Sequence, residues 1–147
     1  MKLVRPALLL FVACAALLQT GGADAAAPCV ATLKASGHYP MAGRPWPITV
    51  TCRTPAGKPV RATATYQFVF QGQVVATRYP SPNADPRSAC SRNGNCRNSP
   101  YPFSGRMYDA TFIWPRRAVG IPLTLRVVVR VPGRGSVNLN YRVRVRQ

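Results

Sequence analysis

Glutamate is absent from the 147-residue chain, and aspartate occurs only at positions 24, 85 and 109. Histidine occurs once, as His38. General acid–base and nucleophilic catalysis need a histidine, a carboxylate or an activated thiol beside a partner. So short a supply argues against an enzyme. Cys-x-x-Cys spacing is missing, which removes the usual zinc signature. His38 and Met41 are ligand types that suit copper, but a third ligand would have to come from Met107 or elsewhere. They read instead as a loop histidine and a packing methionine, and neither a metal nor another cofactor is expected. No run reaches the eighteen or so apolar residues of a spanning helix. A sustained 3.6-residue period is lacking too, which argues against a helical domain.

What is present at the amino terminus is a targeting pattern. Met1-Lys2-Leu3-Val4-Arg5 is a short cationic start, Ala7 to Leu18 is apolar, and Ala23-Asp24-Ala25 offers small residues at a cleavage site. That three-part pattern predicts a signal peptide over 1–25 and a secreted single domain over 26–147, with no transmembrane segment after cleavage. Phe11-Val12-Ala13-Cys14 is only loosely lipobox-like, because Phe11 is a poor −3 residue and the apolar run continues beyond Cys14. Cys14 leaves with the signal, so Cys29, Cys52, Cys90 and Cys96 remain for two disulfides in an oxidising compartment.

Charge of one sign dominates. The formal net charge is +17, from 20 Lys+Arg against three acids, and cleavage after Ala25 lowers it by one. Two readings compete. Arg, Ala, Pro, Gly and Val are abundant, as high-G+C coding often produces, and surface arginines then form a solvated face. Codon bias accounts for Arg over Lys but not for the missing acids. A field of this sign favours anionic partners: a cell-envelope polymer, a glycan or an acidic protein. Nucleic acid ranks lower, since the chain is exported and its basic face has no stacking stripe of aromatics.

Period-2 alternation runs along the remainder. Cys29, Ala31, Leu33 and Ala35 share one face of a first strand, and Trp46, Ile48, Val50 and Cys52 share one face of a second. Pairing them antiparallel with Leu33 opposite Ile48 sets Cys29 opposite Cys52 and predicts that bridge. A third strand carries Ala62, Ala64, Tyr66, Phe68 and Phe70 on one face, and Gln71-Gly72 turns it into a fourth, Gln73 to Arg78. Residues 79–105 read as a long Pro-rich loop. Within it, Cys90-Ser-Arg-Asn-Gly-Asn-Cys96 closes a small ring around an Asn-Gly turn, predicting a Cys90–Cys96 bridge. Strand signal resumes at Arg106 with Tyr108, Ala110, Phe112 and Trp114 on one face. Asp109, on the opposite face, is expected at the surface beside an arginine, and Asp85 is expected to bond its own backbone in a Pro-bounded turn. Two strongly alternating strands, Leu123 to Val131 and Val137 to Val145, flank Pro132-Gly133-Arg134-Gly135.

About seven short strands with regular turns predict an all-β, antiparallel sandwich. The segment Val50-Thr-Cys-Arg-Thr-Pro-Ala-Gly-Lys-Pro-Val60 resembles the join between second and third strands of bacterial immunoglobulin-like modules. The resemblance to secreted immunoglobulin-like or fibronectin type III-like domains extends over about residues 29 to 147. It implies the architecture and transfers no function. The antibody-type hallmarks, a cysteine on the penultimate strand and a tryptophan on the third, are absent.

Two surfaces are candidate sites. Keeping the apolar faces of the last two strands together places Arg126, Arg130, Arg142, Arg144 and Arg146 on the opposite face, where arginine forks suit carboxylate or phosphate. A five-residue loop would set Arg126 directly opposite Arg142, and a three-residue loop opposite Asn140. Like charges opposed are unfavourable, so either the shorter loop or a bound anion is expected. The second surface is the 79–105 loop, where Tyr79, Arg92, Arg97, Tyr101 and Phe103 (with Arg87) are residue types enriched in recognition surfaces.

Overall fold

Alternating β-branched and polar residues make the last two strands a regular hairpin with one wet face. In a computed structural model, which describes residues 27–82 and 99–147, this hairpin anchors an eight-stranded antiparallel sandwich. The strands are β1 (Val30–Ala35), β2 (Ile48–Arg53), β3 (Arg61–Phe70), β4 (Gln73–Arg78), β5 (Tyr101–Ser104), β6 (Arg106–Asp109), β7 (Pro122–Val131) and β8 (Gly135–Arg144). One 3-10 turn, Arg116–Ala118, precedes β7. The expected signal peptide, the Asp85 turn, the Cys90–Cys96 ring, Arg87, Arg92 and Arg97 lie outside the described residues.

One layer is β1-β2-β6; the other is β3-β7-β8, with β4 and β5 both on the far side of β3. Between them lies a core of Ile48, Val50, Cys52 and Met107 against Ala64, Tyr66, Leu125, Val127 and Val129. Trp46, Phe68, Phe112 and Trp114 add an aromatic cluster, with ring centroids 5.3 Å apart for Phe112–Trp114 and 5.4 Å for Phe68–Trp114. Edge-to-face packing of this kind adds to the area that the rings bury.

The layers join at Gly105. β5 pairs with β3 and β6 pairs with β2, so the chain changes layer within one residue. The Gly105 amide donates to the Val60 carbonyl over 3.0 Å and its carbonyl accepts from the Cys52 amide over 3.1 Å. On the opposite side, residues 38–42 run along the end of β8. The His38 carbonyl accepts from the Arg144 amide and the Pro40 carbonyl from the Arg146 amide. Met41 and Arg146 pair in parallel there.

Several sequence expectations need correction. The Cys29–Cys52 bridge is present, with Cα atoms 5.5 Å apart. Its register is not the expected one: Leu33 pairs with Val50 and Ala31 with Cys52. The strands have slid by two residues, which keeps every side chain on its face and makes the bridge diagonal. Residues 101–104 are strand rather than loop, although Pro102 interrupts them. At Pro102 the described partner of β5 is β3, and β6 meets β5 only at Ser104–Arg106; proline is tolerated where one side of a strand carries no ladder.

The faces of β6 are reversed. Met107 and Asp109 are buried, while Tyr108 is 51% exposed with the Arg106 guanidinium 6.0 Å from its ring centroid. Beyond Asp109 the strand pattern breaks, and Thr111, Phe112, Ile113 and Trp114 are all buried.

Candidate functional site

The β7–β8 hairpin holds the arginines in place through its register. A three-residue loop, 132–134, separates the paired Val131 and Gly135. Arg126 therefore faces Asn140, and its Nε donates to Asn140 Oδ1 over 3.2 Å. This register avoids like-charge opposition. Arg142 faces Thr124, Arg144 faces Pro122 and Arg130 faces Ser136. Arg126 and Arg142 become diagonal neighbours, a spacing of about 7–8 Å that long side chains span. β3 extends the same outer surface with Thr63 beside Arg130 and Gln67 beside Arg126.

Arg142 and Arg144 are exposed and border an open groove of about 580 Å³ with His38, Tyr39, Pro122 and Thr124. The His38 ring stacks on Tyr141 at 4.4 Å, and its Nδ1 lies 2.7 Å from the Arg142 carbonyl oxygen. Tyr39 is 61% exposed, with the Arg146 guanidinium 5.8 Å from its ring centroid. Arg146 lies past the end of β8 and outside the groove lining, and it meets the groove residue Tyr39 by its guanidinium rather than sharing the hairpin face. Pattern reading located the arginines but missed His38 and Tyr39 as their neighbours. The 38–42 segment reaches β8 through a long-range parallel pairing that no local spacing announces.

Asp109 is the one acidic side chain among the described residues, and the core encloses it. Its Oδ2 accepts from the Tyr66 hydroxyl over 3.0 Å, and its Oδ1 accepts from the Thr111 amide over 2.9 Å and lies 2.8 Å from the Thr111 hydroxyl. Burial first, and the neighbouring carboxylate second, push the Tyr66 phenol well above its ordinary pKa. The expectation of a surface acid paired with arginine is overturned, because backbone and hydroxyl donors replace the cation. The described outer faces consequently present arginine and lysine with no acidic side chain among them.

The loop residues proposed for recognition divide. Tyr101 and Phe103 lie in β5 and pack partly buried against the core, and Tyr79 is half-buried. Arg92 and Arg97 lie outside the described residues. His38 and Met41 do not converge with Met107, which is buried between the layers. No group of three or more His, Cys, Asp or Glu side chains among the described residues is placed to hold a metal ion. The chain matches no protein-family model, and no curated protein matches it in sequence.

Proposed function

We propose that this chain is a secreted, non-catalytic module of immunoglobulin-like architecture that docks on an anionic cell-envelope polymer or glycan. The observation that carries the reading is the groove in which Arg142 and Arg144 flank exposed Tyr39. Arginine forks bind carboxylate and phosphate bidentately, and an exposed aromatic face adds apolar contact for a sugar ring or acyl stem. With Asp109 enclosed, no described acidic side chain opposes this field.

Retention on an immobilised uronic-acid glycan, eluted with graded salt, tests the proposal. The triple variant Arg126→Ser/Arg142→Ser/Arg144→Ser should elute at clearly lower salt than Arg53→Ser/Arg106→Ser/Arg134→Ser, which removes the same charge elsewhere. Equal losses would reduce the effect to net charge alone. A complex held by the 79–105 loop through apolar contacts would instead resist salt, because burial is not screened as charge is.

A further inference from the structure

A second cavity lies between β4 and the segment that follows Trp114. It holds about 440 Å³, in the range of small-molecule sites. Its walls are mostly apolar, with Phe68, Ala76, Trp114, Ala118 and Leu123 prominent. A bulge helps to shape it. Phe68 pairs with Ala76 and Val69 with Val74, leaving Val75 as an extra residue. Bulges re-aim side chains beside sites, and Val75, 56% exposed, lines this cavity together with Ala76.

Two cationic side chains border the same space, Arg78 from the end of β4 and Arg117 from the 3-10 turn. The Arg78 guanidinium carbon sits 5.6 Å from the centroid of Phe68. Its Nη1 is buried with no hydrogen-bond acceptor among the described residues, and the buried Trp114 Nε1 likewise lacks one. A buried donor without an acceptor is costly. Two guanidinium groups at one apolar cavity add mutual repulsion, and burial followed by Arg117 lowers the Arg78 pKa from its ordinary value. An arginine keeps its charge regardless. The cavity has apolar walls and two cationic side chains, and a buried guanidinium nitrogen and a buried indole nitrogen on its lining residues have no acceptor among the described residues.

We infer that this cavity binds a small amphipathic carboxylate, its headgroup on Arg78 and Arg117 and its hydrocarbon against Phe68, Ala118 and Leu123. A small inorganic anion would satisfy the donors but leave the walls unfilled, and a neutral apolar molecule would leave the donors unpaired. The site is separate from the Arg142–Arg144 groove, with Leu123 lining both, and it does not depend on glycan binding.

Decanoate, kept below its micelle concentration, is the probe, with decanol as the uncharged control of equal length. Binding to the mature protein is followed through the two indole N–H resonances. The Trp114 signal should shift in a saturable manner, whereas that of Trp46, already donated to the Gly37 carbonyl, should stay in place. Decanol should bind about tenfold more weakly or worse, the loss of one charge-assisted hydrogen bond. Arg78→Gln should weaken decanoate by a similar factor, and Arg117→Gln, at an exposed position where folding is not at stake, by a smaller one. Arg142→Ser/Arg144→Ser should leave decanoate binding unchanged. Equal affinity for acid and alcohol, an Arg117→Gln variant that binds as the parent does, or no saturable shift at Trp114 would overturn the inference.

Discussion

Tyr66 on β3 donates its phenolic hydrogen to Asp109 on β6 across 3.0 Å of buried core, joining the two layers through their one described buried carboxylate. A carboxylate in such a place is tolerated only when its oxygens are satisfied. Tyr66 and Thr111 supply those donors, and Thr111 in turn lies within hydrogen-bond distance of the Ser81 carbonyl oxygen at 2.9 Å.

Removing the phenolic hydroxyl should therefore be expensive although no volume is lost. Tyr66→Phe is expected to lower unfolding stability by about 1.5–3 kcal/mol, the range for a hydrogen bond to a charged group. Asp109→Ala should cost more, since it strands both the phenol and the Thr111 amide. Denaturant titration reads both, and an unchanged midpoint in Tyr66→Phe would show that the contact contributes nothing.

A pH dependence follows from the same pair. The folded-state pKa of Tyr66 is raised, so the native chain holds a proton that the unfolded chain releases. This contribution is complete below the ordinary tyrosine pKa of about 10 and is lost as pH rises beyond it toward the folded value. Parent and Tyr66→Phe stability curves, offset by the hydroxyl deletion at neutral pH, should converge above about pH 10. Parallel curves through the alkaline range would show that Tyr66 ionises as freely folded as unfolded.

How much of this could be read beforehand depended on whether local pattern or a distant partner decided each element. β7 and β8 were legible because each has one dry and one wet face, and the Arg126–Asn140 pairing is the one of the two registers left open that avoids opposed charges. β6 was not. Parity turned Tyr108 inward and Asp109 outward, and only Tyr66 and Thr111, on other parts of the fold, make the reverse arrangement affordable. β1 and β2 show a subtler limit: a slide of two residues leaves both faces intact, so burial cannot choose between the registers. At the groove, the arginines were visible in the alternation of β8, whereas Tyr39 and His38 arrive by way of hydrogen bonds from residues 38–42 to the end of that strand.

Gly105 should be intolerant of any side chain. Its φ is +69°, and a Cβ added there would lie 2.7 Å from the Pro59 Cβ. The left-handed conformation costs a non-glycine residue about 1–2 kcal/mol, and forced overlap in a packed site adds about 1–3. Gly105→Ala is thus expected to lose about 2–5 kcal/mol in denaturant titration. Pro59→Gly in the same chain should recover the overlap part and leave the backbone part. A double variant no better than Gly105→Ala would show that Pro59 is not what the methyl group meets.

The β3–β4 turn runs the opposite way, toward gain. Gln71 has φ of 49° and Gly72 of 82°, and they connect the paired Phe70 and Gln73. Positive φ at both central residues marks a type I′ hairpin, for which Asn-Gly is a preferred pair. Asparagine enters that region more readily than glutamine, so Gln71→Asn should raise stability by about 0.5–1 kcal/mol. The exposed position makes other consequences small, and a lowered midpoint would mean that the glutamine side chain holds something the turn needs.

The last prediction concerns Cys29–Cys52, because it separates a local staple from a global one. Among the described residues β1 takes a ladder partner only in β2, and the bridge ties the residue before its first position to the end of β2. Loss of a native bridge in a small secreted domain costs about 2–5 kcal/mol, chiefly by freeing the unfolded chain. Here the effect should also be uneven in the native state. In Cys29→Ala/Cys52→Ala, amide exchange should speed up most along Val30–Ala35 as β1 frays from β2. Val127 and Val129, paired on both sides with β3 and β8, should instead exchange in step with the drop in global stability. Non-reducing peptide mapping of the parent should yield the 29–52 linkage beforehand. Equal acceleration in β1 and β7 would show that β1 opens only with the whole fold. If β1 exchange stayed unchanged, its ladder with β2 would suffice without the covalent tie.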